Sequence, residues 1–231
     1  MSTLSIGGKN WILKEYNPDD LIFFKENFSL DEITSKLLSI RKIKKEEINS
    51  FLNPSIKSFL PNPNDLIDMV KTTSRSVKII QKKEKIGIFG DYDVDGATST
   101  ALLGNYFTEL NLDYEVYIPD RKKEGYGPSI KSFEQLINKN VKVIFTVDCG
   151  TLSFDAIKYA KEKKVDVIVL DHHQSEIKLP SAFSVVNPNR IDDKSNLQYL
   201  CAAGVAFMFL VSLNRELRSL DWFKKNDIKE P

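Results

Sequence analysis

Ile86-Gly87-Ile88-Phe89-Gly90-Asp91-Tyr92-Asp93-Val94-Asp95-Gly96-Ala97-Thr98-Ser99 is the stretch whose reading decides the fold. A short apolar run ends in three carboxylates spaced two apart, then a glycine, then a helical pattern. Asp is a poor strand former, and three like charges this close repel one another unless a cation sits among them. Hard divalent metals take oxygen-rich clusters of this kind. Taken alone, the acids could form a solvated turn that caps the next helix. Asp-x-Asp-x-Asp-Gly also opens an EF-hand calcium loop, which needs a Glu at its twelfth position and a helix before it. Counted from Asp91 the twelfth position is Leu102, and the residues before it read as a strand. The EF-hand fails on both counts.

Outward from this stretch the pattern alternates. Strands are expected at 86–89, 114–118, 141–147, 165–170 and 184–186, and helices at 97–110, 129–138, 153–163 and 197–217. The strands are near-continuous Val/Ile runs, as in a parallel sheet covered on both faces. The expected fold is α/β, a doubly wound, mainly parallel sheet preceded by an N-terminal helical segment. In that segment Ser29 and Glu32 have the form of a capping box, ahead of Ile33, Leu37, Leu38 and Ile40 at helical spacing. A short helix over 44–52 and a longer one from the Pro61-Asn62-Pro63 turn toward Ile80 complete it. The expected division is 1–84, helical, and 85–231, the sheet domain.

Sites in open parallel sheets form outside the carboxyl ends of the strands. Three polar clusters fall there: Asp91, Asp93 and Asp95; Asp148-Cys149-Gly150 after Val147; and Asp171-His172-His173 after Leu170. His172 and His173 are the only two histidines in the chain. Adjacent to an Asp on a rim already rich in carboxylates, they read as functional. Carboxylates with imidazoles suit a borderline divalent ion such as Mn²⁺, with Mg²⁺ and Zn²⁺ left open. Five or six ligands exceed what one ion with open positions needs, which points to two ions about 3.5–4 Å apart. No Walker-type phosphate loop and no Ser-centred nucleophile elbow is present. The residues therefore describe a metal-dependent hydrolase of a phosphate ester or anhydride.

Composition sets bounds but does not choose. The 231 residues are 42% hydrophobic and 28% charged, which is ordinary for a globular protein. A net charge of +1 gives no overall argument for nucleic acid, and the basic runs Arg41-Lys42-Ile43-Lys44-Lys45, Lys82-Lys83 and Lys161-Glu162-Lys163-Lys164 read as solvated helix faces. Cys149 and Cys201 make neither a disulfide framework nor a zinc pattern, and both are expected to be packed. The first residues lack the form of a signal peptide, and the longest apolar run, 205–211, is far short of the roughly 20 residues of a membrane span. No membrane role and a cytoplasmic location are expected.

Asp91-Tyr92-Asp93-Val94-Asp95-Gly96, Val147-Asp148-Cys149-Gly150 and Asp171-His172-His173 resemble the first three motifs of the DHH phosphoesterase superfamily. With Gly90 in front, the first resembles the RecJ branch of single-strand-specific DNA exonucleases. So do Arg121-Lys122-Lys123-Glu124-Gly125-Tyr126-Gly127, Asn187-Pro188-Asn189-Arg190, Leu200-Cys201-Ala202-Ala203-Gly204-Val205-Ala206-Phe207 and the lead-in Phe51-Leu52-Asn53-Pro54. The resemblance implies a two-ion Mn²⁺ or Mg²⁺ site and 5′-to-3′ digestion of single-stranded DNA in repair and recombination. It implies Asp93, Asp95, Asp148 and His172 as metal ligands, Asp148 bridging, with Asp91 a ligand or a support. Asp171 would orient the histidines, His173 would face the scissile phosphate, and Arg121 and Arg190 would grip phosphates. A helicase or single-strand-binding protein would be a partner of such an enzyme. The superfamily's fourth motif, an Asp in a D-x-x-x-x-G-T context, does not occur before Pro231; Asp221-Trp222-Phe223-Lys224-Lys225-Asn226 lacks the Gly-Thr. On that resemblance the domain is incomplete at its C-terminus, the N-terminal portion of a longer protein, and the isolated 231 residues are expected to be poorly active. Two other functions compete: a phosphoesterase on short oligonucleotides, cyclic dinucleotides or pyrophosphate, and a non-catalytic nucleic-acid-binding scaffold.

Overall fold

The computed structural model describes residues 4–231, which fall into two compact units that divide between Leu60 and Pro61. The first unit is helical: α1 (Pro18–Phe28), α2 (Glu32–Ile40), α3 (Ile48–Leu52) and α4 (Ile56–Phe59). Phe24, Leu38 and Ile48 form its small core. The cap of α2 is Asp31, whose carboxylate accepts from Thr34 N, whereas the expected Ser29 sits in the left-handed region just past the end of α1. Asp31 lies two residues nearer Ile33, so it captures the free amide first. Helix α1 was not expected, although its signal is in the sequence: Asn17 caps it, Pro18 opens it, and Asp19 and Asp20 lie in its first turn.

The second unit runs α5 (Met69–Lys82), β1 (Ile86–Gly90), α6 (Val94–Glu109), β2 (Tyr114–Tyr117), α7 (Arg121–Glu124), α8 (Ile130–Asn138), β3 (Val143–Val147), α9 (Phe154–Glu162), β4 (Asp166–Leu170), β5 (Ser184–Val186), α10 (Ala202–Ser219) and α11 (Trp222–Asn226). Helix α5, expected to close the N-terminal segment, belongs here. Its Thr72 donates to Ser184 Oγ at 2.7 Å, and Thr73 pairs with Ser212 at 2.9 Å. Helix α10 begins at Ala202, five residues later than its pattern suggests.

All five strands are parallel, in the order β2-β1-β3-β4-β5. On one face Phe89, Ile144, Val167 and Val169 pack with Phe133 and Leu136 of α8 and Ala156, Ile157 and Ala160 of α9. On the other, the Phe145 ring lies 5.6 Å from both Phe107 of α6 and Phe209 of α10. Burial on both faces explains the uninterrupted apolar strands, each such side chain contributing about 1.5–3 kcal/mol. The doubly wound sheet is as expected. Strand order reverses between β1 and β3, and a cleft opens at the carboxyl ends beside such a point. Among the described residues no helix is long and apolar enough to cross a membrane.

Candidate metal centre

Register brings the three polar clusters together. Gly90 pairs with Val147, and Val147 with Leu170, so the next residues, Asp91, Asp148 and Asp171, leave adjacent strands at one level. Neighbouring strands lie about 4.8 Å apart, so acids separated by tens of residues in sequence become neighbours. The chain then turns sharply at each. Asp148 adopts φ 60°, a left-handed conformation that Asp tolerates better than most residues. Gly96 lets the first turn of α6 close on Asp91, since a Cβ there would stand 2.5 Å from the Asp91 carbonyl oxygen.

Asp93 caps α6, accepting from Gly96 N at 3.0 Å, and that amide holds its carboxyl below the usual range. Its neighbours are pushed the other way. Burial raises Asp91, and burial followed by the nearby Asp93 and Asp95 raises Asp148 to about 8. Asp91 Oδ1 and Asp148 Oδ1 are buried with no hydrogen-bond donor. His172 Nε2 stands 3.3 Å from Asp148 Oδ1 and 3.6 Å from Asp95 Oδ2. Two sets of groups have ligand atoms within 4.8 Å of one another: Asp91, Asp93 and Asp148; and Asp148, His172 and His173. Asp148 is in both. Orphaned anionic oxygens facing imidazole nitrogens fit a divalent cation, because without one they carry an uncompensated desolvation cost.

Asp171 organises the histidines. It is buried and accepts from Thr151 N (3.0 Å), His172 N (2.7 Å), His173 N (3.2 Å) and His173 Nδ1 (2.7 Å). Burial pushes its carboxyl up, but the hydrogen bonds from His173 and Thr151 outweigh that and leave it lowered. The same contact raises His173. An ionised carboxylate only accepts, so His173 Nδ1 carries the proton, and Nε2 of the neutral ring, 3.4 Å from the Tyr126 hydroxyl, carries none. Tyr126 closes this side, its hydroxyl donating to the Asp148 carbonyl at 3.1 Å, with burial pushing the phenol up. Beside His173 a cavity of about 650 Å³ is lined by Tyr126, Pro128, Thr151, Leu152 and Phe154.

A family model described as DHH family, N-terminal domain, matches residues 85–228. The chain belongs to the DHH family. It is 39% identical over 173 residues to the single-stranded-DNA-specific exonuclease RecJ of Haemophilus influenzae, covering 74% of this chain and 30% of that protein. RecJ of Bacillus subtilis is 32% identical over 208 residues, 90% of this chain and 26% of the relative. The chain thus spans under a third of these relatives. A crystal structure of exonuclease RecJ bound to manganese superposes with a TM-score of 0.60 at 30% identity, over 66% of this chain and 38% of that one. The Thermus thermophilus RecJ structure in complex with Mn²⁺ shares the fold, with a TM-score of 0.69 at 22% identity over 95% of this chain and 29% of that one.

Not every expected residue of the DHH site reaches the two metal-type clusters. Asp95 is in neither set, although its Oδ2 lies 3.6 Å from His172 Nε2: that oxygen accepts from Ala202 N at 2.7 Å and its Oδ1 from Ala203 N at 2.8 Å, so it caps α10. Each oxygen keeps a second lone pair. Arg121 is exposed, its guanidinium 5.2 Å from the centre of the Tyr92 ring at the rim. Arg190 is buried and turned inward. It donates to Asp192 through Nε and Nη2, and to Asp68 and the Val185 carbonyl through Nη1. Those contacts brace β5 and leave no guanidinium face for a phosphate. Cys149 is buried, as expected, but Cys201 is exposed at the N-cap of α10. Thr151 and Tyr126 carry site contacts that residue types alone did not flag.

Proposed function

We propose that this chain is the catalytic region of a metal-dependent phosphodiesterase, a 5′-to-3′ exonuclease on single-stranded DNA acting in cytoplasmic DNA repair and recombination. Residues 85–231 would be its DHH domain. Asp148 carries the reading: one buried carboxylate belongs to both clusters and keeps an unpartnered oxygen. A scaffold that merely bound nucleic acid would gain nothing from a buried acid raised to about 8. The names of the relatives, single-stranded-DNA-specific exonucleases, supply the substrate class.

Asp91, Asp93, Asp95, Asp148 and His172 would hold Mn²⁺ or Mg²⁺, with Asp148 shared between two ions. When bound, such a pair activates water and neutralises charge developing on phosphorus. The protein's own groups do the rest. Asp171 keeps the His173 proton on Nδ1, so Nε2 can exchange a proton at a phosphate oxygen. Arg121 offers a planar, permanently charged fork to an incoming phosphate.

The test uses full-length protein and a 5′-labelled single strand beside its matched duplex. Release of mononucleotides from the 5′ end should need Mn²⁺ or Mg²⁺ and should favour the single strand. Turnover in EDTA, digestion from the 3′ end or equal rates on duplex would overturn the proposal.

A further inference from the structure

The His172–His173 dipeptide lies in neither strand nor helix, yet all four of its main-chain polar groups are held by side chains. Both amides donate to Asp171 Oδ1. The His173 carbonyl accepts from Asn187 Nδ2 at 2.8 Å, and the His172 carbonyl accepts from Asn189 Nδ2. Asn187 is fully buried and has no slack of its own. Its second Nδ2 hydrogen goes to Thr151 Oγ1 at 2.9 Å, and its Oδ1 accepts from Asn189 N at 2.7 Å. Thr151 in turn donates its amide to Asp171. The next residue, Arg190, ties the segment to Val185 and Asp68.

We infer that Asn187 and Asn189 are positioning residues that set the direction of the two imidazoles by gripping the carbonyls behind them. This deepens the reading of His172 and His173 as site residues and rests on it. A backbone turn without ladder hydrogen bonds keeps its ψ angles only if its carbonyls have partners. Fixing both carbonyls fixes both Cα–Cβ directions. His173 Nδ1 then stays against Asp171, and His172 Nε2 stays toward Asp148 and Asp95. Three segments meet in this clamp: the turn after β3, the turn after β4 and the end of β5. The motif Asn187-Pro188-Asn189-Arg190 is accordingly a brace behind the two histidines.

Asn187→Asp and Asn189→Asp test the inference, because they keep shape while replacing each donating NH₂ with an oxygen that can only accept. In the full-length protein the ¹⁵N signals of His172 and His173 are assigned by their loss in His172→Gln and His173→Gln. In metal-free full-length protein, wild-type His173 should show one tautomer, protonated at Nδ1. Asn187→Asp should convert it to a mixture, and Asn189→Asp should weaken Mn²⁺ binding in calorimetry about tenfold or more through His172. Nuclease kcat should fall in both with KM nearly unchanged. Should the buried Asn187→Asp fail to give a cooperative melt, Asn189→Ala, at a half-buried position, decides by the same readouts. Unchanged tautomer and Mn²⁺ affinity in variants whose melting temperature drops would mean that the asparagines only stabilise the fold, and would overturn the inference. The imidazole signals do not depend on turnover. A wild-type protein without nuclease activity, but with a tautomer that responds to these variants, would therefore overturn the proposed function and leave the clamp standing.

Discussion

Asp95 Oδ2 accepts a hydrogen bond from Ala202 N at 2.7 Å, across 107 residues of sequence. An acid expected to serve only the site therefore also starts the longest helix of the sheet unit. Asp148, in the same cleft, is raised to about 8 and lacks a donor at Oδ1. In metal-free protein the two should respond to substitution with opposite signs. Asp95→Ala removes both bonds at the end of α10 and should cost about 1–2 kcal/mol, a fall of about 3–6 °C in Tm. Asp148→Asn removes a buried, uncompensated charge and should raise Tm at pH 8 by about 2 °C or more. Thermal melts in EDTA decide this, and two shifts of the same sign would contradict it.

The pH dependence follows from the same group. Asp148 rises from 3.8 to about 8 on folding, so its contribution to stability is complete below about pH 4 and is lost as pH rises through 8. His173 is also raised, by its bond to Asp171, and acts in the same direction above its ordinary value of 6.5. Asp171 is lowered and therefore matters only in acid, where its contribution fades as pH falls through its folded value. Metal-free protein should melt higher at pH 5.5 than at pH 8, as read by scanning calorimetry. Asp148→Asn should flatten most of that slope. Mn²⁺ should reverse it, since binding must displace the Asp148 proton below pH 8. A metal-free protein more stable at pH 8 than at 5.5 would refute the assignment.

Arg121 and Arg190 look alike in sequence and diverge in the fold. Arg121 stands exposed over Tyr92, so Arg121→Ala should leave Tm within about 1 °C. Loss of one charge-assisted phosphate contact should raise KM about tenfold or more. Arg190→Ala strips a buried guanidinium from Asp68 and Asp192, with side-chain exposures of 28% and 61%. That should cost about 2–3 kcal/mol, or about 5–10 °C, while turnover per folded molecule changes little. Paired melts and steady-state kinetics separate the two, and a KM effect confined to Arg190→Ala would invert the assignment.

The sheet and its rim were legible because β1, β3 and β4 are near-continuous apolar runs that each end abruptly in an acid. Ile88, Phe145 and Ile168 announce themselves as buried strand residues, and Asp91, Asp148 and Asp171 follow their strands directly. What could not be read depended on distant partners. Nothing near Asp95 points to Ala202, and nothing near Arg190 points to Asp68, 122 residues away. Cys201 reads as core from its apolar neighbours, yet a helix begins there because Asp95 supplies the cap. Asn187 looks like any turn asparagine until the turn after β4 is laid against it. Local chemistry fixed the elements, and contacts between elements fixed which polar residues face the cleft.

Asp171 offers the last test, because its four hydrogen bonds make it both a support for the fold and the group that sets the His173 proton. Asp171→Asn keeps the volume but leaves one oxygen for Thr151 N, His172 N, His173 N and His173 Nδ1. Its new NH₂ must point at one of these donors or at the imidazole. With the NH₂ in the Oδ1 place, the His173 proton moves to Nε2 so that Nδ1 accepts from the amide, and the His172 and His173 main-chain donors lose their acceptor. The nitrogen facing the cleft then holds a proton when it should be free. Turnover with saturating Mn²⁺ should fall about tenfold or more, and the ¹⁵N imidazole shifts should report the exchanged tautomer. Tm should fall as well, since a buried main-chain donor left unmatched costs about 1–3 kcal/mol. A variant that melts lower but keeps the wild-type tautomer and a rate within twofold would show that Asp171 only stabilises the turn, and that His173 takes its orientation from elsewhere.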